Sequence, residues 1–125
     1  MVKIIKYDEL KWNFLEKENV LVGFDQKMIF ENFDVIHAII KPKEKLKKHW
    51  HERGNKGQEV FCFYNGGHFK LLLENQEKEF NTTKPIYINF QNHEVHGIEN
   101  LADNVLEFQV WCSPIFNNGE VTVIE

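Results

Sequence analysis

The chain changes its hydrophobic period close to residue 20. In residues 6–18, Leu10, Phe14 and Leu15 recur at helical spacing among charged positions, which predicts a short helical turn near the N-terminus. From residue 20 onward, apolar residues alternate with polar ones or form short runs, and turn-forming residues separate the runs. The runs cover 20–24, 28–30, 34–41, 46–51, 59–65, 68–73, 86–90, 105–112 and 121–124. Many short strands at this spacing predict an all-β sandwich or barrel.

Side-chain alternation predicts which residues share a face. In a strand, residues i and i+2 point to the same side. Lys47, His49 and His51 are therefore expected on one face of their strand, with Leu46 and Trp50 on the other. The same rule places Glu59 on one face with Phe61 and Phe63. In residues 105–112 it places four residues on a common face: Leu106, Phe108, Val110 and Cys112.

Length and composition limit the class of protein. The 125 residues have a mass of 14.9 kDa, which predicts one domain spanning residues 1–125. A hydrophobic fraction of 42% with 11 Phe is enough for a folded core and excludes a disordered or collagen-like chain. No apolar run approaches the length of a membrane span, and charge interrupts the N-terminus too early for a signal peptide. We therefore expect a cytoplasmic protein with no membrane partner.

The charge is distributed unevenly. A net charge of −4 argues against nucleic acid as a partner. Residues 41–56 nevertheless carry a local net charge of +5, directly around His49 and His51. The segment is either a solvated turn or a positive rim that steers an anionic small molecule to a neighbouring site.

Two cysteines, Cys62 and Cys112, lie far apart in the sequence, and no C-x-x-C motif is present. We expect two buried thiols in a reducing compartment. A Cys62–Cys112 bridge is the alternative if their two strands pair.

His49-Trp50-His51 is the strongest local chemical feature. Two imidazoles on one strand face, with Cα atoms roughly 6.6 Å apart, suit two ligands of one metal ion. The alternative is two half-exposed polar residues at the end of a strand.

The wider spacing resembles the cupin superfamily. Its first motif is commonly written G(X)5HXH(X)3,4E(X)6G and its second G(X)5PXG(X)2H(X)3N. Here His49-Trp50-His51 matches HXH, the segment from Glu59 to Gly66 matches E(X)6G, and the segment from His96 to Asn100 matches H(X)3N. The resemblance covers about residues 43–100 and implies a single-domain jelly-roll β-barrel.

The chain departs from these motifs at the turns. Lys43, Pro85 and His93 stand where the motifs have glycine, and Gln91 stands where the second motif has proline. Residues 52–58 separate His51 from Glu59, a longer interval than the motif allows, so Glu52 is an alternative acid.

The resemblance implies a site for one divalent metal ion inside the barrel. Its ligands would be His49, His51, Glu59 and His96, and Fe, Mn, Ni, Co and Zn are all chemically acceptable. Four further residues are expected to line the substrate pocket: Lys47, Phe61, Phe63 and His93.

Three functions are consistent with the resemblance. The first is a metal-binding enzyme on a small sugar-like or carboxylate compound, either an isomerase or epimerase or an oxygenase. The second is a metal-independent nucleotide-sugar keto-isomerase or epimerase that uses His49, His51 and Glu59 as acid–base groups. The third is a non-enzymatic ligand-binding barrel. The resemblance also implies a homodimer, to which an outward Trp50 and Trp111 would contribute.

Overall fold

The structure of the protein is a computed structural model that describes residue 4 and residues 6–24, 34–52, 57–113 and 121–125. The predicted run 28–30, Arg53 and Lys56 lie outside the described residues. Among the residues described, no helix reaches the length and hydropathy that crossing a bilayer requires.

The described segments contain a 3-10 turn and strands, which confirms the predicted all-β class. The turn is Tyr7–Glu9, and the strands are β1 (Lys11–Leu15), β2 (Val20–Phe24), β3 (Asp34–Ile40), β4 (Lys45–His51), β5 (Gln58–Phe63), β6 (Gly67–Leu73), β7 (Glu77–Thr82), β8 (Ile86–Gln91), β9 (His96–Asn100), β10 (Leu106–Ser113) and β11 (Val121–Val123). They form two antiparallel sheets, one in the order β1-β2-β3-β10-β5-β8 and the other in the order β11-β4-β9-β6-β7.

The predicted N-terminal helical turn is confirmed only at Tyr7–Glu9. Residues 11–15 form the edge strand β1, which pairs with β2 from Lys11↔Phe24 to Leu15↔Val20. The helical spacing of Leu10 and Phe14 was therefore misleading, because pairing with a neighbouring strand overrides a weak local pattern. The sequence pattern did not predict strand β7, which carries mostly charged and polar residues. It is an exposed edge strand, and such a strand buries too little surface to need an apolar pattern.

The core fills the space between the inner faces of the two sheets. Phe63 of one sheet stacks on Phe69 of the other with ring centroids 4.2 Å apart, and Phe108 stacks on Phe63 at 4.7 Å. All three rings are fully buried. The predicted alternation in 105–112 is confirmed, since Leu106, Phe108, Val110 and Cys112 are buried.

The two cysteines lie on opposite faces of one sheet. Strands β5 and β10 do pair, but Cys62 lies opposite Gln109 and Cys112 lies opposite Glu59. Since three positions separate Cys62 from Glu59, alternation turns the two thiols to opposite sides. Both cysteines are free, so the bridge considered from the sequence does not form.

Candidate metal centre

Four buried side chains converge inside the barrel. His49 and His51 come from β4 and His96 from the adjacent β9, whereas Glu59 reaches in from β5 of the opposite sheet. Their ligand atoms all lie within 4.8 Å of one another, and each residue is 2–6% exposed. The longer loop before Glu59 does not move its side chain away from the histidines.

A bulge in β4 delivers the histidine pair to the interior. The pairing of β4 with β9 shifts register between Leu46 and His49, and both residues are buried although strict alternation puts them on opposite faces. The predicted opposition of Leu46 to the histidines was therefore wrong, because a bulge inserts one residue and reverses the parity beyond it. His49 then lies directly across from His96.

Backbone carbonyl groups orient two of the imidazoles. The Nδ1 atom of His49 lies 2.6 Å from the carbonyl oxygen of Lys47, and Nδ1 of His96 lies 2.8 Å from that of Glu94. Because a carbonyl oxygen only accepts hydrogen bonds, Nδ1 must carry the proton in both rings. In the neutral imidazole the lone pair then lies on Nε2, which is the arrangement that metal-binding histidines usually adopt.

The carboxylate of Glu59 is surrounded by groups from both sheets. Its Oε1 lies 2.7 Å from Nε2 of His96, and its Oε2 lies 3.6 Å from Nε2 of His51. The thiol of Cys112 donates to Oε2 across 3.6 Å. Sequence reasoning missed Cys112 as a neighbour of the site, although its face was predicted correctly; only the pairing of Cys112 with Glu59 brings the two together.

Aromatic rings form one wall of the cluster. Phe90 stacks on His96 with centroids 4.1 Å apart and planes 13° apart, and Phe61 approaches the same imidazole edge-on at 5.4 Å. Phe61, one of the predicted pocket residues, therefore packs against a member of the cluster. Phe63 lies one layer deeper, against Phe69 and Phe108. Phe90 was missed, although the run 86–90 placed it in a strand.

The other expected pocket residues lie elsewhere. The amide of Lys47 donates to the carbonyl oxygen of Glu18, and its side chain lines a surface hollow with Asn19 and Glu125. The contact of Lys47 with the site is made by its backbone, because its carbonyl oxygen accepts from Nδ1 of His49. His93 is exposed beside Trp50 and forms an ion-pair contact with Glu52.

The Glu52–His93 contact also decides between the two candidate acids. Glu52 is engaged at the surface, and Glu59 is the acid that joins the cluster. The amide of His93 also donates to the carbonyl oxygen of His51 across 3.1 Å. This hydrogen bond holds the turn that carries His93 against the end of β4.

Two lysines of the basic segment lie at the far end of β4 from the cluster. Lys43 donates to the carbonyl oxygen of Leu101 at 2.6 Å, and Lys45 lies opposite Glu99 in the register of β4 and β9, at the other end of β4 from His51. These two lysines do not form a positive rim beside the histidines.

Two motif residues are structural. The buried Asn100 side chain donates to the carbonyl oxygens of Ile40, Lys41 and Asn104 and accepts from the amide of Ala102. Gly66 has a φ of 64°, and a Cβ there would lie 2.2 Å from the carbonyl oxygen of Thr82. Asn100 therefore anchors the chain after β9, and Gly66 permits the turn between β5 and β6.

Comparison with solved structures identifies the fold. No family model matches the chain, and no curated protein matches its sequence. The chain is similar to a uridine-bound variant of Streptomyces Pac13, with a TM-score of 0.69 at 13% identity over 100% of this chain and 93% of Pac13. Pac13 is described as a nucleoside dehydratase.

Two further structures are similar over most of their length. The polyketide cyclase RemF from Streptomyces resistomycificus has a TM-score of 0.64 at 18% identity over 96% of this chain and 89% of its own. A predicted oxalate decarboxylase from Thermotoga maritima has a TM-score of 0.67 at 14% identity over 90% of this chain and 99% of its own. At these identities the likeness establishes the fold, the cupin or double-stranded β-helix barrel that the sequence predicted.

Proposed function

We propose that this cupin-fold protein is a divalent-metal enzyme that acts on a small polar molecule, with His49, His51, Glu59 and His96 as the metal ligands. One observation carries the proposal: three imidazoles and one carboxylate, all almost fully buried, each offer one ligand atom, and these atoms lie within 4.8 Å of one another. Imidazole nitrogens and a carboxylate oxygen that converge in this way are the donor atoms that divalent transition metals bind in proteins.

The donor set fits a metal ion in type, and its spacing is close to that of ligands around one ion. An ion bonded at about 2.1 Å holds neighbouring ligand atoms about 3 Å apart and opposite ones about 4.2 Å apart. The four donors span up to 4.8 Å, slightly wider than this, and the 2.7 Å contact between His96 and Glu59 is slightly tighter. Three imidazoles and one carboxylate suit Fe, Mn, Ni, Co or Zn and leave coordination positions open.

A bound ion at this place would supply Lewis-acid or oxygen chemistry to a substrate. The chain itself orients the histidine ligands and supplies an apolar wall. Backbone carbonyls fix His49 and His96, and the Phe61 and Phe90 rings exclude water from one side of the site. We infer isomerisation or epimerisation of a sugar-like or carboxylate compound, or its oxygenation, as the reaction class.

A second candidate follows from the shortest contact in the site. The 2.7 Å distance between His96 Nε2 and Glu59 Oε1 is also that of a hydrogen bond, so a shared proton satisfies the pair as a metal ion would. The site would then act by general acid–base catalysis on a nucleoside-type or nucleotide-sugar substrate, with His49 and His51 beside the pair. The similar structure of Pac13 with uridine supports this substrate class.

Elemental analysis of protein purified without chelator tests the first proposal. We expect about one equivalent of divalent metal, lost in the His49→Ala/His96→Ala double variant and retained in His68→Ala, which alters a half-exposed histidine paired with Glu79. Protein that is metal-free and cannot be loaded with any of the five metals would exclude the metal enzyme. Calorimetry with nucleotide sugars, with and without chelator, tests the second candidate, which requires binding that chelator does not weaken.

A further inference from the structure

Cys112 lies beside the carboxylate of Glu59. The two residues are opposite each other in the pairing of β10 with β5 and are 1% and 4% exposed. The thiol donates to Oε2 of Glu59 across 3.6 Å. Side chains opposite each other in an antiparallel pair share a face, with Cβ atoms about 4.5–5.5 Å apart. The strand register therefore holds the sulfur next to the carboxylate.

The two oxygens of Glu59 have different neighbours. Oε1 lies 2.7 Å from Nε2 of His96. Oε2 lies 3.6 Å from the sulfur of Cys112 and 3.6 Å from Nε2 of His51. The last torsion of a glutamate side chain has a broad, two-fold profile and sets no single orientation by itself. The groups around the carboxylate therefore decide which oxygen faces His96.

The thiol of Cys112 supports the cluster from outside it. Among the described residues, the donor atoms that lie within 4.8 Å of one another belong to four side chains, and the sulfur of Cys112 is not one of them. The backbone carbonyl groups that accept from His49 and His96 have the same relation to the site, since each holds a ligand in its orientation.

We propose that Cys112 is a positioning residue: its thiol holds Oε2 of Glu59 so that Oε1 is presented to His96. The inference rests on the proposed function, because the orientation of Glu59 matters only if that carboxylate takes part in the chemistry. In the metal enzyme, the thiol keeps a ligand carboxylate in its binding orientation. In the acid–base enzyme, it keeps in place the oxygen that shares a proton with His96.

Cys62 offers a matched comparison within the same sheet. It follows Glu59 by three residues in β5 and is 5% exposed. By alternation its side chain points to the opposite face of the sheet from Glu59. Substitution of Cys62 therefore also removes a buried thiol but leaves the neighbours of the carboxylate unchanged.

Titration calorimetry with Mn²⁺ or Ni²⁺ measures what the thiol contributes to metal affinity. Cys112→Ala should weaken binding by about 10-fold, the lower end for groups that support ligands, because a thiol is a weak donor. Cys112→Ser keeps a donor and should stay within about threefold of the unaltered protein. Cys62→Ala should bind as the unaltered protein does. An unchanged affinity of Cys112→Ala overturns the proposal, and so does an equal loss in Cys112→Ser.

Infrared spectroscopy of chelator-treated protein tests the contact without bound metal. The S–H stretching band lies in a region clear of other protein absorption and moves to lower frequency when the thiol donates a hydrogen bond. The band that disappears in Cys112→Ala should move to higher frequency in Glu59→Gln, whose neutral amide is a weaker acceptor than a carboxylate. It should stay in place in Glu52→Gln. A band that does not move in Glu59→Gln overturns the proposal.

The two measurements separate this proposal from the proposed function. If the unaltered protein binds no metal, the metal enzyme is rejected, and the infrared band still decides whether Cys112 holds Glu59. A band that moves then supports the positioning role in the acid–base enzyme. If Cys112→Ala binds metal as tightly as the unaltered protein, the metal enzyme stands and the role of Cys112 is rejected.

Discussion

The Nε2 atom of His96 lies 2.7 Å from Oε1 of Glu59, and this contact joins the two sheets of the barrel. The residues are 37 positions apart in the chain, and both are almost fully buried. Two acceptor atoms this close repel each other unless a cation, either a proton or a metal ion, lies with them. The two candidate functions therefore differ in which cation lies at this pair: a metal ion in the metal enzyme and a proton in the acid–base enzyme.

Glu59→Gln keeps the shape of the side chain and removes its charge. If the site binds metal, the affinity for a divalent ion should fall by about 100-fold or more, since even residues that only support ligands cost 10–100-fold. Titration calorimetry with Ni²⁺ or Mn²⁺ measures the change. Glu52→Gln is the matched control, because Glu52 lies at the surface with His93. Equal affinities for both variants would exclude Glu59 as a ligand.

Asn100→Ala should destabilise the fold by about 3 kcal/mol. The substitution leaves three carbonyl oxygens and one amide without their shared partner in a buried place. Asn100→Asp should cost at least as much, because it turns a carboxylate toward those carbonyl oxygens. Urea unfolding measures both variants against Asn81→Ala, an exposed position expected within about 0.5 kcal/mol of the unaltered protein. A small effect of Asn100→Asp would contradict the anchoring role.

Gly66→Ala should destabilise by about 2 kcal/mol or more. Its φ of 64° is unfavourable for residues with a Cβ, and the added Cβ would lie 2.2 Å from the carbonyl oxygen of Thr82. Asn65→Ala changes the exposed neighbour in the same turn and serves as the control. In thermal unfolding, Gly66→Ala should have a clearly lower melting temperature than Asn65→Ala. Similar melting temperatures would argue against strain at residue 66.

Denaturing thiol titration under non-reducing conditions should count two free thiols per chain. Cys62 and Cys112 occupy opposite faces of their sheet, so neither can reach the other. In the folded protein both should react slowly, since both are buried and burial raises the pKa of the Cys62 thiol. An intact mass two hydrogens lighter than the reduced chain would reveal a bridge and refute this arrangement.

Glu18→Gln should raise stability at pH 8 and leave it nearly unchanged at pH 4. Glu18 is 2% exposed, neither carboxylate oxygen has a hydrogen-bond partner among the described residues, and burial raises its pKa. The folded protein therefore holds this proton more tightly than the unfolded chain does, and the resulting stability is lost as the pH rises through the folded pKa.

Urea midpoints at pH 4 and pH 8 measure the effect of Glu18→Gln. Glu16→Gln, at an exposed position in the same turn, is the control. Its urea midpoint should stay close to that of the unaltered protein at both pH values. A Glu18→Gln midpoint below that of the unaltered protein at pH 8 would show that the carboxylate finds a stabilising partner when ionised.

Much of the fold could be predicted because the pleat of a strand has a period of two. Alternation in 105–112 and 59–63 identified the inward residues correctly, and the run boundaries matched most strands. Alternation failed around Leu46, where the bulge adds a residue without a clear local signal. It also failed at β1 and β7, since edge strands bury too little to impose an apolar pattern.

For the site, the spacing within β4 showed that His49 and His51 belong together, and the motif resemblance selected Glu59 and His96. Local spacing determines which residues share a strand face, because neighbouring positions are held by the backbone itself. Only the tertiary structure decided that Glu59 crosses from the opposite sheet, that Cys112 and Phe90 join the cluster, and that Lys47 contacts it through its backbone. Those relationships depend on strand pairing and sheet packing between residues far apart in the chain, which local periodicity does not encode.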